Sequence, residues 1–141
     1  MASACEHLAQ HMVVVRQGAL WSSPAWGFEG APFLNQAVEV AWEGGPDALL
    51  ARALTIEAAH GRVRNMNAAG YEDRSLDIDL IMWDGGEHQS SALELPHPRM
   101  ASRRFVLAPL AEHWSDWQHP NGHRVAEMLA ACADDSEVSK V

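Results

Sequence analysis

Lysine is nearly absent from this chain. Lys140 stands alone against nine arginines, and there are one tyrosine and only two cysteines, Cys5 and Cys132. Two cysteines cannot build a disulfide framework or complete a zinc site by themselves, so they read as reduced thiols. No apolar run approaches the ~20 residues that a bilayer crossing needs, so no membrane partner is expected. The opening residues MASACEHLAQHM carry His and Glu where a leader peptide needs Lys or Arg ahead of an apolar core. Secretion is therefore not expected, and a cytoplasmic location is. Phosphate loops of the GxxxxGKS or GxxxxGKT type, GxGxxG turns and Ser or Cys nucleophile signatures are also missing.

What is present is a globular composition, 48% hydrophobic and 21% charged over 141 residues, with a mean hydropathy of -0.20. That is one domain's worth of chain, 1–141, enough to bury roughly two-thirds of its unfolded surface. Nineteen acids against ten bases give a formal net charge of -9, which argues against a nucleic-acid partner. The bases are not spread evenly. Arg62, Arg64, Arg74, Arg99, Arg103 and Arg104 crowd into residues 62–104, where they nearly balance the acids. An acidic chain that gathers arginines in one stretch uses them on a local anion, since the planar guanidinium fork suits phosphate or carboxylate. An ordinary mixed-charge surface is the alternative.

The patterning predicts a helix over 3–16, capped by Ser3, with Leu8, Met12 and Val15 at helical spacing. A short strand follows at 19–23, then a Gly/Pro loop at 24–32. Residues 34–42 alternate as a half-buried strand. A helix runs from Asp47 to His60 with Gly61 as its stop, and 62–74 reads as a long functional loop. Residues 75–83 read as a strand, and 93–100 as extended. A helix over 102–113 contains Pro109, His119 to Gly122 form a turn, and a last helix precedes a polar tail at 130–141. The order of elements is α+β.

Strand side chains alternate, so Asp77 and Asp79 share one face, ~7 Å apart. Two hard carboxylates placed there can share divalent cations, and a metal with a phosphate turns their repulsion into a site. Taken alone, the pair also fits a solvated strand face. The histidines give no zinc site: Pro-Asn-Gly separates His119 from His123, and His7 and His11 lack a third ligand. His97, held between two prolines shortly before Arg103, is either structural or a positioned donor. Trp21, Trp26, Phe28 and Phe33 are either packing or a platform for a flat ring. Asn35, on the polar strand face, can donate and accept as a heterocycle edge requires.

Together, SSPAWG and FLNQAV (within 22–38), IEAAHGRVR (56–64), DRSLDIDLIMWDG (73–85) and LELPHPRMASRRFVLAPLAE (93–112) resemble the 6-hydroxymethyl-7,8-dihydropterin pyrophosphokinase family of folate biosynthesis. The resemblance covers about residues 4–130. It implies a ferredoxin-like antiparallel sheet with flanking helices, and transfer of pyrophosphate from ATP to the pterin's hydroxymethyl oxygen with release of AMP. Two Mg2+ ions would sit on Asp77 and Asp79. Arg74, His97 and Arg103 would contact the triphosphate, joined by Arg62, Arg64 and Glu57 on the nucleotide side. Ser23, Pro24, Trp26, Phe33, Asn35 and Phe105 would form the pterin pocket. A monomer is expected, and no general base is assigned.

Two departures accompany the likeness. NMNAAGYED replaces the family's usual Arg-Trp-Gly-Pro-like lead-in, so some loop contacts with ATP are expected to shift. The family also opens with a central strand and a Gly-Ser-Asn turn, whereas this sequence begins in the helix that follows. Without that strand, inner strands expose unpaired edges. A start codon placed too far downstream is the preferred explanation over a degraded or divergent copy. The competing functional reading is a non-catalytic pterin- or nucleotide-binding remnant. A sugar-nucleotide transferase is disfavoured because no nucleotide-sugar domain fits in the length.

Overall fold

Three consecutive valines decide the first clear element. A computed structural model describes residues 6, 8–10, 12–24, 33–67 and 76–141, with the side chains of 61–67 excepted. Residues 8–10 are helical, and the predicted helix does not continue to residue 16: Val13–Gln17 is a strand, β1. β-Branched side chains lose rotamer freedom in a helix and fit a pleated surface, which outweighs the helical spacing of Leu8, Met12 and Val15. β1 pairs antiparallel with β4 (Val38–Ala41), with an irregularity between Val14 and Arg16.

The predicted strand at 34–42 is two strands in two sheets. β3 (Phe33–Asn35) pairs with β2 (Trp21–Ser23), and β4 leaves for β1. The chain is switched at Gly18, whose N–H donates to the Ala37 carbonyl at 2.8 Å, while Gln36 Nε2 donates to the Gly18 carbonyl at 2.6 Å. A Cβ at Gly18 would lie 3.1 Å from that Ala37 oxygen. A side chain at residue 18 would crowd that carbonyl, so glycine eases the close approach of the two segments.

α1 runs over Pro46–Asn67. Proline opens it, Asp47 complements the positive end of the helix dipole, and Ala53, Ile56 and His60 form its buried stripe. Gly61 does not stop it. Glycine costs about 1 kcal/mol inside a helix, which favourable neighbours can absorb, so residues 62–67, read from sequence as loop, are helical. The rest of that loop lies outside the described residues.

The predicted strand at 75–83 is also revised. From Leu76 to Trp83 the chain joins no ladder among the described residues. Burial nevertheless alternates from 76 to 80, with Asp77 and Asp79 exposed and Leu76, Ile78 and Leu80 half-buried. Alternation dictates which side chains face out, but a ladder needs a neighbouring strand. The backbone is instead held by side-chain and loop contacts: Ile78 N–H donates to Glu57 Oε2 at 2.5 Å, and the Ile81 carbonyl accepts from His97 N–H at 2.7 Å. Ile81 and Met82 both pack against the core, so Ile81 does not share the outward face of the two aspartates.

A small hairpin, β5 (His88–Gln89) with β6 (Glu94–Leu95), leads to a 3-10 turn at Met100–Ser102. α2 (Arg104–Trp114) follows, with Pro109 buried inside it, and then α3 (Val125–Ala131). Met100, Leu107, Leu110, Val125 and Met128 form the core. α2 also packs on β2 and β3. The polar C-terminal segment returns to the body as β7 (Ser139–Lys140), antiparallel to β2. The architecture is α+β with antiparallel pairing, as expected, but among the described residues the pairing is divided among three short sheets.

Candidate active site

The 3-10 turn and the start of α2 carry the arginines into an open cleft of about 680 Å³, lined by Arg99, Ser102, Arg103, Phe105, Asp134 and Asp135. The Arg103 guanidinium lies over the Phe105 ring, 5.7 Å from its centroid, close enough for the ring face to attract the cation. Arg103 is thereby stacked while its N–H groups remain available to a ligand.

His97 is positioned just upstream. Its Nδ1 accepts the Arg99 N–H at 3.1 Å, so the neutral ring carries its proton on Nε2, an outward donor. Burial lowers the His97 pKa below its ordinary value; nearby Arg103 and Arg99 push the same way, and Asp79 opposes them. Asp79, His97 and Arg103 are thus within electrostatic reach of one another.

Asp77 and Asp79 are exposed on the alternating stretch, and neither joins an ion pair among the described residues. Glu57, carried over from the resemblance as a nucleotide-side residue, grips the backbone of Ile78 between them. At the strand pair β2/β3, Asn35 Nδ2 donates to Ser23 Oγ at 3.0 Å; Ser23 is buried, Pro24 is exposed and Phe33 is 51% exposed. The structure therefore brings Asp79, His97 and Arg103 together, and sets Ser23, Phe33 and Asn35 on strands that contact the helix bearing Phe105. Arg62 and Arg64 lie in the last turns of α1, but their side chains are outside the described set. Arg74 and Trp26 are outside it altogether.

Sequence reasoning left out Arg99 and the pair Asp134–Asp135. Arg99 is two residues beyond His97 in the same proline-rich turn, which is signal enough to have included it. Nothing local marks Asp134, because its place at the cleft depends on the C-terminal segment folding back.

A family model described as 7,8-dihydro-6-hydroxymethylpterin-pyrophosphokinase (HPPK) matches residues 1–115. The chain belongs to this family. HPPK relatives include a 2-amino-4-hydroxy-6-hydroxymethyldihydropteridine pyrophosphokinase of Methylorubrum extorquens, 39% identical over 144 residues, covering 100% of this chain and 88% of the relative. A protein of the same name from Porphyromonas gingivalis is 38% identical over 120 residues, 79% of this chain and 81% of its own length. One from Pseudomonas aeruginosa is 31% identical over 129 residues, 92% and 78% respectively. The HPPK match contains every residue proposed from sequence for the site, and ends before the segment that carries Asp134.

Proposed function

We infer that the chain is a folate-pathway pyrophosphokinase, acting on ATP and 6-hydroxymethyl-7,8-dihydropterin. The hydroxymethyl oxygen attacks the β-phosphorus of ATP. An O–P bond forms there, the bond from the β-phosphorus to the oxygen bridging it to the α-phosphorus breaks, AMP leaves with that oxygen, and the hydroxyl proton is released. The observation that carries this reading is that Asp79 and Arg103 lie within electrostatic reach of His97, beside a cleft that Arg103 lines, in a chain that belongs to the HPPK family.

Arg103 supplies a forked cation for the β- and γ-phosphate oxygens, and His97 Nε2 a neutral donor beside it. Phe105 and Phe33 provide ring faces for the pterin. Asn35, oriented by its bond to Ser23, offers the donor and acceptor that the edge of a heterocycle pairs with. Arg62, Arg64 and Arg74 join the triphosphate in this reading, and Pro24 and Trp26 join the pterin pocket. Two Mg2+ ions are the cofactor. Asp77 and Asp79 fit them: both are exposed hard-oxygen donors, and neither joins an ion pair among the described residues. With no third protein ligand in a cluster among the described residues, the remaining coordination is left to phosphate oxygens and water. Bound there, the ions supply charge neutralisation of the transferring group. The protein's own contribution is positioning and electrostatics.

The working unit in this reading is a monomer. No helix among the described residues is long and apolar enough to cross a membrane, and the free Cys132 thiol suits a cytoplasmic setting. The test is AMP release from ATP, dependent on both Mg2+ and the hydroxymethylpterin. Binding of either substrate without AMP release would favour the non-catalytic remnant instead.

A further inference from the structure

α2 begins without a cap of its own. Arg103 occupies the N-cap position in extended backbone, φ -122 and ψ 104, and makes no side-chain capping bond. Ser, Thr, Asp and Asn are the usual occupants there, because a short side-chain oxygen accepts a first-turn N–H. An arginine has no acceptor to offer. The missing acceptor arrives from 30 residues downstream: Asp134 Oδ2 accepts the Arg104 N–H at 3.1 Å.

The Asp134 carboxylate is itself held. Its Oδ1 accepts from Ser136 N–H at 3.0 Å and from Ser136 Oγ–H at 2.5 Å. Beyond it, β7 pairs Ser139 with Ser22 and Lys140 with Trp21. Lys140 Nζ bonds Glu112 Oε2 at 2.6 Å and lies 5.8 Å from the centroid of the Trp21 ring. Val141 N–H donates to the Leu20 carbonyl at 2.9 Å. Residues 134–141 thus run from the N-terminus of α2, past its last turns, to the strand that carries Ser23. Residues 134–141 lie beyond the region that the family match covers.

We propose that Asp134 is a positioning residue for the pyrophosphoryl transfer: carried on a C-terminal strap, it supplies the cap that Arg103 cannot, and so sets the backbone angle at which Arg103 faces the phosphates and Phe105 the pterin. The proposal rests on the transfer reading above. It accounts for an arginine at a position where helices prefer a small polar residue: the guanidinium serves the ligand and the cap is supplied from elsewhere in the chain.

Steady-state constants and melting temperatures of Asp134→Ala, Asp134→Asn and Lys140→Ala test it. Asp134→Ala is expected to raise KM for ATP and for the pterin about three- to tenfold, the loss of one cap expressed as affinity. Asp134→Asn keeps an acceptor and should restore KM to within about twofold. Lys140→Ala frees only the far end of the strap, so it lowers the melting temperature with KM unchanged. Equal KM values in Asp134→Ala and Lys140→Ala at matched melting temperature overturn the proposal, as does failure of Asp134→Asn to rescue. Should Asp134→Ala not fold, Ser136→Ala, which leaves the carboxylate but unlocks it, must still raise KM; no rise overturns the proposal. Calorimetric affinity for α,β-methylene-ATP is followed in parallel. A wild-type chain that binds this analogue but releases no AMP overturns the transfer reading alone, and the variants are then judged on affinity. A wild type that does neither overturns both.

Discussion

His97 shows how much a single residue owes to its neighbours. One ring nitrogen is tied to the Arg99 backbone, and burial with two nearby guanidiniums keeps the ring neutral against the pull of Asp79. A neutral imidazole can donate to a phosphate without adding a charge that Arg103 already supplies. Arg103 and Arg99 line the same cleft but differ in support, since only Arg103 is stacked on Phe105. Arg103→Lys keeps the charge and loses the planar fork, so kcat for AMP formation should fall about 10²- to 10³-fold, as when one transition-state donor is removed. Arg99→Ala should raise KM for ATP only about three- to tenfold, the loss of one exposed charge-assisted contact. Equal effects in the two variants would contradict the stacking argument. Asp77 and Asp79 were visible in the sequence because strand alternation is local, whereas His97 and Arg103 were singled out by the family resemblance. Arg99 was passed over.

Among the elements, the segment 76–83 depends most on its surroundings. Its alternation was legible, and the exposed faces of Asp77 and Asp79 follow from it. Its lack of a ladder was not legible locally, because pairing is a property of two segments. Glu57 takes over one of the backbone bonds that a partner strand would otherwise supply. Glu57→Ala leaves the Ile78 N–H without that acceptor and should cost about 1–3 kcal/mol, whereas Glu57→Gln retains an acceptor and should cost less. Urea unfolding midpoints check both. AMP formation should fall with Glu57→Ala beyond what stability explains, since the residue it holds lies between the two carboxylates. β1 and the extension of α1 past Gly61 make the same point from the other side: a run of valines overrode helical spacing, and a lone glycine failed to end a helix.

Across the whole molecule, the C-terminal strap joins parts of the chain that sequence order separates. Glu112 accepts Lys140 and the Ala19 N–H, and the bond from Lys140, followed by that from Ala19, lowers its pKa from 4.5 to about 2. A carboxylate depressed in the folded state contributes stability that is fully present above its unfolded pKa and is lost as pH falls through the folded one. The melting temperature of the wild-type chain should therefore fall between about pH 4.5 and pH 2 more steeply than that of Glu112→Gln, which has no such carboxyl to protonate. Coincident curves would mean that Glu112 does not hold the strap.

The sequence by itself determined the α+β class and the outward pair Asp77 and Asp79, because these follow from periodicity within short stretches, and the HPPK resemblance, which rests on motifs matched along most of the chain. Tertiary structure decided which segments pair, that Phe33 and Val38 belong to different sheets, and that a polar tail becomes a strand ending at Trp21 and Ser22. It also assigned the cap of α2 to a carboxylate 30 residues away. These outcomes rest on hydrogen bonds between distant segments, and no local pattern states which distant group will satisfy an unpaired N–H.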